Sequence, residues 1–302
     1  MSDALSHNVL VIGATGTQGQ AVARRLLEGG HQVRGLTRDP RSKAALALAA
    51  KRVTLIQGDL DEPASVEAAM RGADGVYLVT DFFKNGIAGE IRQGKMVADL
   101  CAKLRIGHLV HASVNGADRA SGVHHFDSKD AIERHIRSLG IPATFLRPAV
   151  FMEDLTDKKY FPPASWGMMP KLVGLDRPVK WVSVDDIGVA AAAAFARREE
   201  FVGKAVPLVG DTRSIREARE IFARVNGRKP FALPMPTFLF RRFISEDLVL
   251  MWTWLAANSM DGDVATTRAL VAQPLDMETW LRARSSPGTS PQRVALPSRR
   301  GP

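Results

Sequence analysis

Three glycines, Gly13, Gly16 and Gly19, stand where the apolar run Val9-Leu10-Val11-Ile12 gives way to a helical period carried by Ala21, Val22, Leu26 and Leu27. A chain that leaves a buried strand and opens a helix needs glycine where it bends, where its backbone approaches a bulky anion, and where the helix packs on the sheet. The helix opening near Thr17 then presents unpaired N–H groups, which a pyrophosphate satisfies. Gly13, Thr15, Gly16, Thr17, Gln18 and Gly19 are therefore expected to cradle the phosphates of a dinucleotide, the alternative being an ordinary strand-to-helix turn.

A second cluster that could do chemistry is His124-His125-Phe126-Asp127-Ser128-Lys129-Asp130-Ala131-Ile132-Glu133. His125, Lys129, Ile132 and Ile136 fall on one helical stripe, so the spacing points Lys129 toward a core or a crevice. There a lysine holds ribose hydroxyls, or exchanges protons if desolvated; a snorkelling lysine with a wet ammonium is the plainer reading. His125 is the second candidate for proton chemistry. No metal site is expected: His124 and His125 diverge, and His108 and His111 fall on opposite faces of a strand. Ser113 has no histidine and acid in assigned roles, so a serine triad is not supported.

The dinucleotide's 2′ position is read at the end of the second strand, Leu36-Thr37-Arg38. A guanidinium there suits a phosphate, and Lys43 adds charge from the next helix, so NADP (as NADPH) is favoured, with NAD possible. Asp39 opposes this, but Asp39-Pro40 also reads as a cap with proline in the first helical turn. Asp59 and Leu60, Thr80, and Ser113 end the next three strands and should border the same crevice.

These residues need a scaffold. Apolar runs at 8–12, 32–36, 53–57, 75–79, 108–112 and 144–147 alternate with helical periods at 63–70, 90–104 and 129–139. That rhythm specifies an α/β fold: a Rossmann-like, doubly wound parallel sheet. Residues 1–155 are expected to form the nucleotide-binding core and 156–284 a smaller, mostly helical subdomain on the substrate side. Within the latter, 158–178 reads as a loop or lid, 180–182 and 205–209 as strands, and Asp185 and Asp186 as first-turn acids of an alanine-rich helix. Residues 285–302 read as a disordered tail rich in Pro, Ser and Arg.

The chain has 302 residues and a formal charge of +9, but five of its arginines lie at 282–300 with no acid among them. Weak attraction to polyanions follows, not specific nucleic-acid recognition. A single cysteine, Cys101, excludes an internal disulfide and fits a cytoplasmic protein. No secretory signal is expected, and the apolar stretch 248–257 is too short to span a membrane.

Taken together, Gly13 to Gly19, Gln93-Gly94-Lys95, His125-Phe126-Asp127-Ser128-Lys129, Leu146-Arg147-Pro148, Phe151 to Leu155 and Trp181 to Gly188 resemble the NmrA-like family of atypical short-chain dehydrogenase/reductases over residues 8–284. The resemblance implies an extended Rossmann domain and NADP binding, with the glycine loop, Arg38 and Lys129 at matching positions and Pro148 and Phe151 among the cofactor contacts. It leaves catalysis open: ordinary short-chain reductases place tyrosine four residues before the active lysine, where this chain has His125. Two functions follow as expectations. One is NADPH-dependent reduction of a small apolar or aromatic carbonyl or quinone, with Lys129 and His125 handling the proton and Phe82, Phe83, Phe151, Met152, Trp166, Met168 and Met169 as the apolar wall. The other is a non-catalytic NADP(H) sensor whose 158–178 region is read by a regulated protein partner.

Overall fold

Strand β1 (Asn8–Ile12) alternates its burial between two cores: Leu10 and Ile12 face one, Val9 and Val11 the other. A strand buried on both faces must lie inside a sheet covered by helices on each side. The computed structural model, which describes residues 7–158 and 161–285, has that arrangement. The central sheet runs β3-β2-β1-β4-β5-β6-β9, and every pairing in it is parallel. Its other members are β2 (Gln32–Thr37), β3 (Thr54–Gln57), β4 (Gly75–Leu78), β5 (His108–Ala112), β6 (Ala143–Pro148) and β9 (Ala205–Leu208). The six strands expected from the first 150 residues are present, and β9, from the C-terminal part, completes the edge beside β6.

The chain travels outward from β1 to β3 and then crosses back to β4, so strand order reverses between β1 and β4. Connections leave in opposite directions there, opening a crevice beyond the carboxyl ends of these two strands.

Helices α1 (Thr17–Glu28) and α7 (Val184–Ala196) cover one face. Their contact is close: a Cβ on Gly188 would lie 2.8 Å from the Ala21 carbonyl oxygen. Asp185 of α7 pairs with both Arg24 and Arg25 of α1. Ser183 caps α7 by accepting the Asp186 N–H at 3.0 Å, leaving Asp185 and Asp186 in the first turn as expected. On the opposite face lie α3 (Pro63–Met70), α4 (Phe82–Leu104) and α5 (His124–Ser138), while α2 (Lys43–Ala49) links β2 to β3. Gly94 of α4 lets α5 approach, since a Cβ there would meet Ile132 at 2.4 Å. Near its start α4 breaks at Gly86, whose φ of 64° is left-handed.

The segment expected as a loop or lid contains instead helix α6 (Pro163–Val173), with Trp166, Met168 and Met169 buried in the core. Proline at its start and at Pro170 hid the helix from sequence reading. Pro170 has no N–H to give the Trp166 carbonyl four residues back, and the Arg219 guanidinium donates to that carbonyl instead. Arg219 belongs to α9 (Ile215–Asn226), which α8 (Arg198–Phe201) precedes. A small sheet of β7 (Val150–Phe151), β8 (Val179–Val182) and β10 (Asp211–Arg213) and helices α10 (Thr237–Phe243), α11 (Glu246–Ala257), α12 (Val264–Thr267) and α13 (Met277–Ser285) complete the C-terminal part. Apart from Ser285, the expected basic tail lies outside the described residues. Among them no helix is long and apolar enough to cross a membrane.

Candidate functional site: a glycine cradle and two buried charge pairs

The chain leaves β1 at Gly13 with φ +77°, and a Cβ there would lie 2.9 Å from the Val79 carbonyl oxygen at the end of β4. Gly19 is more constrained still, since its Cβ would sit 2.2 Å from the Gly13 carbonyl oxygen. Only glycine at both positions allows the turn and the helix to close on each other. The Gly16 N–H returns to the Gly13 carbonyl at 3.0 Å, which fixes the loop. Gly16 is the N-cap of α1; no side chain caps the helix, and no acid occupies its first turn. Thr17, Gln18 and Gly19 thus open the helix with N–H groups that lack intrahelical partners, as an anion site requires. Gln18 is anchored from below by the Tyr77 hydroxyl, 2.6 Å from its Oε1.

An open cleft runs from this loop over the ends of β2, β3 and β4, lined by Gly13, Thr15, Arg38, Asp59, Leu60 and Asp61 among others. Arg38 is exposed there, and its guanidinium makes no ion pair or hydrogen bond among the described residues. Asp39 is not the helix cap that its sequence suggests. Ser42 caps α2, while the Asp39 carboxylate accepts the Arg41 N–H at 2.9 Å within the preceding turn. Lys43 is exposed at the start of α2 and lies outside the cleft lining. Asp59 takes the Asp61 N–H at 3.1 Å, and Asp61 in turn is held by Arg92 at 2.6 Å and Gln93 at 3.0 Å.

Lys129 is buried beyond the carboxyl end of β4, the middle strand of the sheet. Its ammonium lies 2.9 Å from Glu90 Oε1 and donates to Thr80 Oγ1 at 2.8 Å, just beyond β4. Thr80 also donates to Glu90 at 2.8 Å, and Ser128 donates to the carboxylate's other oxygen. Burial alone would raise the Glu90 carboxyl; the Lys129 charge and the hydrogen bonds from Ser128, Lys129 and Thr80 overcome it and hold the carboxyl below its ordinary value. Lys129 and Thr80, chosen from different parts of the sequence, meet here. Glu90 was not chosen, although Glu90, Gln93, Gly94, Val97 and Cys101 repeat at helical spacing on the buried face of α4. An acid on that stripe was the signal.

One turn before Lys129, His125 pairs its Nδ1 with Asp247 of α11, and its backbone N–H donates to the same carboxylate at 3.3 Å. Burial would raise the Asp247 carboxyl, but the His125 hydrogen bonds and charge, with His124 adding to them, bring it below its usual value. Phe82 lies 6.2 Å from the His125 ring, and Phe83 beside it is exposed. Of the expected apolar wall, Phe82 lies beside this histidine with the Phe83 ring 5.6 Å from its own, whereas Met152, Trp166, Met168 and Met169 are core. Phe151 is half-buried against that core, and Pro148 is buried at the end of β6. Ser113 points its hydroxyl at Glu133, which Arg147 clamps at 2.9 and 2.7 Å, so it is tied into a structural network. His108 packs on Phe195 and His111 on Phe145, on opposite faces of the sheet.

The sequence matches the NmrA-like family over residues 6–281. A (4-alkanoyl-5-oxo-2,5-dihydrofuran-3-yl)methyl phosphate reductase from Streptomyces griseus is 31% identical over 230 residues, 73% of this chain and 74% of that protein. Among solved structures, NmrA, a negative transcriptional regulator in complex with NADP, aligns with a TM-score of 0.74 at 22% identity, covering 92% of this chain and 94% of its own. An NADPH-dependent quinone oxidoreductase from Escherichia coli, complexed with NADPH, aligns at 0.72 and 18% identity over 90% of this chain and 98% of its own. With a family match spanning nearly its whole length and the parallel sheet, glycine cradle and helical C-terminal part in place, this chain belongs to the NmrA-like family.

Proposed function

We propose that this protein is an NADP(H)-dependent reductase acting on a small apolar or aromatic carbonyl or quinone. The observation that carries the reading is the Lys129 ammonium, fixed by Glu90 and Thr80 at the strand ends with His125 one turn away. A protein that only held a dinucleotide would need the cradle. Holding ribose hydroxyls would account for Lys129 in such a protein, but not for a second proton-bearing group, His125, one turn away.

The residues present fit the cofactor. Gly13 and Gly19 leave the space a pyrophosphate cradle needs, α1 opens without an acid, and Arg38 stands exposed at the cleft, within electrostatic reach of Asp61. Arg38 is assigned to the 2′-phosphate, since Asp39 spends its carboxylate on the Arg41 N–H. Bound nicotinamide supplies a hydride. Lys129, paired with Glu90, holds ribose hydroxyls and favours negative charge developing on the substrate oxygen. Phe82 and Phe83 give the entrance an apolar, aromatic character that suits a flat substrate. The reductase among the sequence relatives and the NADP- and NADPH-bound proteins that share the fold support the same reading.

The test is NADPH consumption across a panel of quinones and aromatic carbonyls, after calorimetry has established that NADPH binds. Multiple turnovers that disappear in Lys129→Ala support the reductase. Tight binding with no turnover on the panel favours the regulatory alternative, in which NADP(H) is the signal.

A further inference from the structure

We propose that His125 is the proton donor of this site and that Asp247 is the positioning residue that makes it one; the assignment rests on the reductase reading. Both oxygens of the Asp247 carboxylate are taken by His125, one by the imidazole Nδ1 and one by the backbone N–H, across 122 residues of sequence. The Asp247 side chain is 5% exposed and that of His125 20% exposed, so the pair is covered at its carboxylate end and open at the imidazole. A carboxylate at Nδ1 fixes the tautomer and leaves Nε2 to exchange protons, and Nε2 makes no hydrogen bond among the described residues.

Lys129 is less suited to that task. Two of its three donors are committed, to Glu90 and Thr80, and losing its proton would strand the fully buried Glu90 carboxylate. The charged and titratable groups around His125 are Asp247, the adjacent His124, whose Nδ1 lies 3.9 Å from the same carboxylate, and Lys129. Glu246 is occupied by Arg241, and Asp81 by Lys84.

In the step assigned, the carbonyl carbon gains the hydride given up by NADPH, which becomes NADP+. The carbonyl π pair moves to oxygen, and that oxygen takes the Nε2 proton of the imidazolium, leaving a neutral ring whose Nδ1–H is held by Asp247. Solvent reprotonates the imidazole after the alcohol leaves.

The experiment measures kcat and KM with NADPH and 4-nitrobenzaldehyde for the wild type, His125→Gln and Asp247→Asn, with NADPH affinity by calorimetry as the check on folding. His125→Gln should lower kcat about 10² to 10³-fold and Asp247→Asn at least about tenfold, with KM and NADPH affinity within about threefold. The pH dependence of kcat should vanish in His125→Gln. Nitrogen-15 spectra should place the neutral-ring proton on Nδ1 in the wild type and redistribute it in Asp247→Asn. His125→Asn replaces His125→Gln if the latter fails to bind NADPH. A kcat within threefold of wild type in the His125 variant overturns the donor role and leaves the reductase reading standing. An unchanged ring tautomer in Asp247→Asn overturns the positioning role. Wild-type protein that binds NADPH but turns over no member of the panel removes the reductase reading, and this assignment with it.

Discussion

Replacing Glu90 by glutamine keeps the shape of the side chain and removes its charge, leaving the Lys129 ammonium without a counter-ion. The Lys129 side chain is 11% exposed and that of Glu90 is fully buried, so water compensates little. Breaking one partner of a buried pair costs about 3 to 5 kcal/mol, and the slight access at Lys129 puts Glu90→Gln near the lower figure, about 3 kcal/mol. For a chain of this length that is a fall in Tm of about 5 °C. Lys129→Met should be comparably unstable at pH 7, and there the sign of the pH dependence changes. In the wild type the Glu90 carboxyl is held below its ordinary value, so its contribution is present above the unfolded value and lost only as pH falls through the depressed one. Without Lys129, burial governs, the carboxyl rises, and the variant gains stability relative to wild type as pH drops from 7 to 5. The double variant loses both charges and should be less destabilised than the sum of the singles by about 2 kcal/mol or more. Urea unfolding of the cofactor-free protein is the appropriate assay, because a ligand that binds only the native state would mask the loss. Single variants within about 0.5 kcal/mol of wild type, and additive, would refute the claim that this pair is a coupled buried unit.

Three further outcomes follow from the same geometry. Arg38→Ala should weaken NADPH about tenfold or more while leaving NADH nearly unchanged, as the loss of a charge-assisted contact to a phosphate demands; equal effects by calorimetry would remove Arg38 from the 2′ site. Gly19→Ala drives a methyl into the Gly13 carbonyl, so the loop must open: NADPH affinity should fall at least about tenfold, and unaltered binding would show that the loop is not the cradle. Asp154 is pushed up to about 7 by burial, with the charges of Glu153 and Asp157 adding to it. A carboxyl whose folded value is raised contributes stability below its unfolded value that is lost as pH rises toward 7. Thermal melts between pH 4 and 8 should show this loss in wild type and a flatter profile in Asp154→Asn, and parallel profiles would contradict it.

How much of this was legible in the sequence depended on how locally each feature is determined. The glycine turn was legible, because the bend, the close approach of Gly19 to Gly13 and the helix opening all arise within one short stretch. The stripe of His125, Lys129, Ile132 and Ile136 also emerged from helical period alone, and Asp185 and Asp186 were legible as first-turn acids of α7, whereas its cap, Ser183, was not singled out. Helix α6 was misread because two of its prolines break helical propensity, and its compensation comes from Arg219 on another helix. Glu90 was legible in principle as an acid on an apolar stripe. Asp247 was not: after Ser245, which caps α11, an acid in the first turn has an ordinary local explanation, and only the fold brings it to His125. Met152, Trp166, Met168 and Met169 of the expected apolar wall are core, because apolar composition cannot tell a pocket lining from a core.

Hydride passage from NADPH to a substrate carbonyl at the proposed site is read out by isotope transfer. The purified protein is incubated with NADPH deuterated on one face of C4 of the nicotinamide and with an aromatic aldehyde, and the product is examined by NMR and mass spectrometry. Deuterium should appear on the carbinol carbon, from one face only, over many turnovers per protein molecule. Tight NADPH binding with no deuterium transferred, or transfer that persists unchanged in the Lys129→Ala protein, would contradict it.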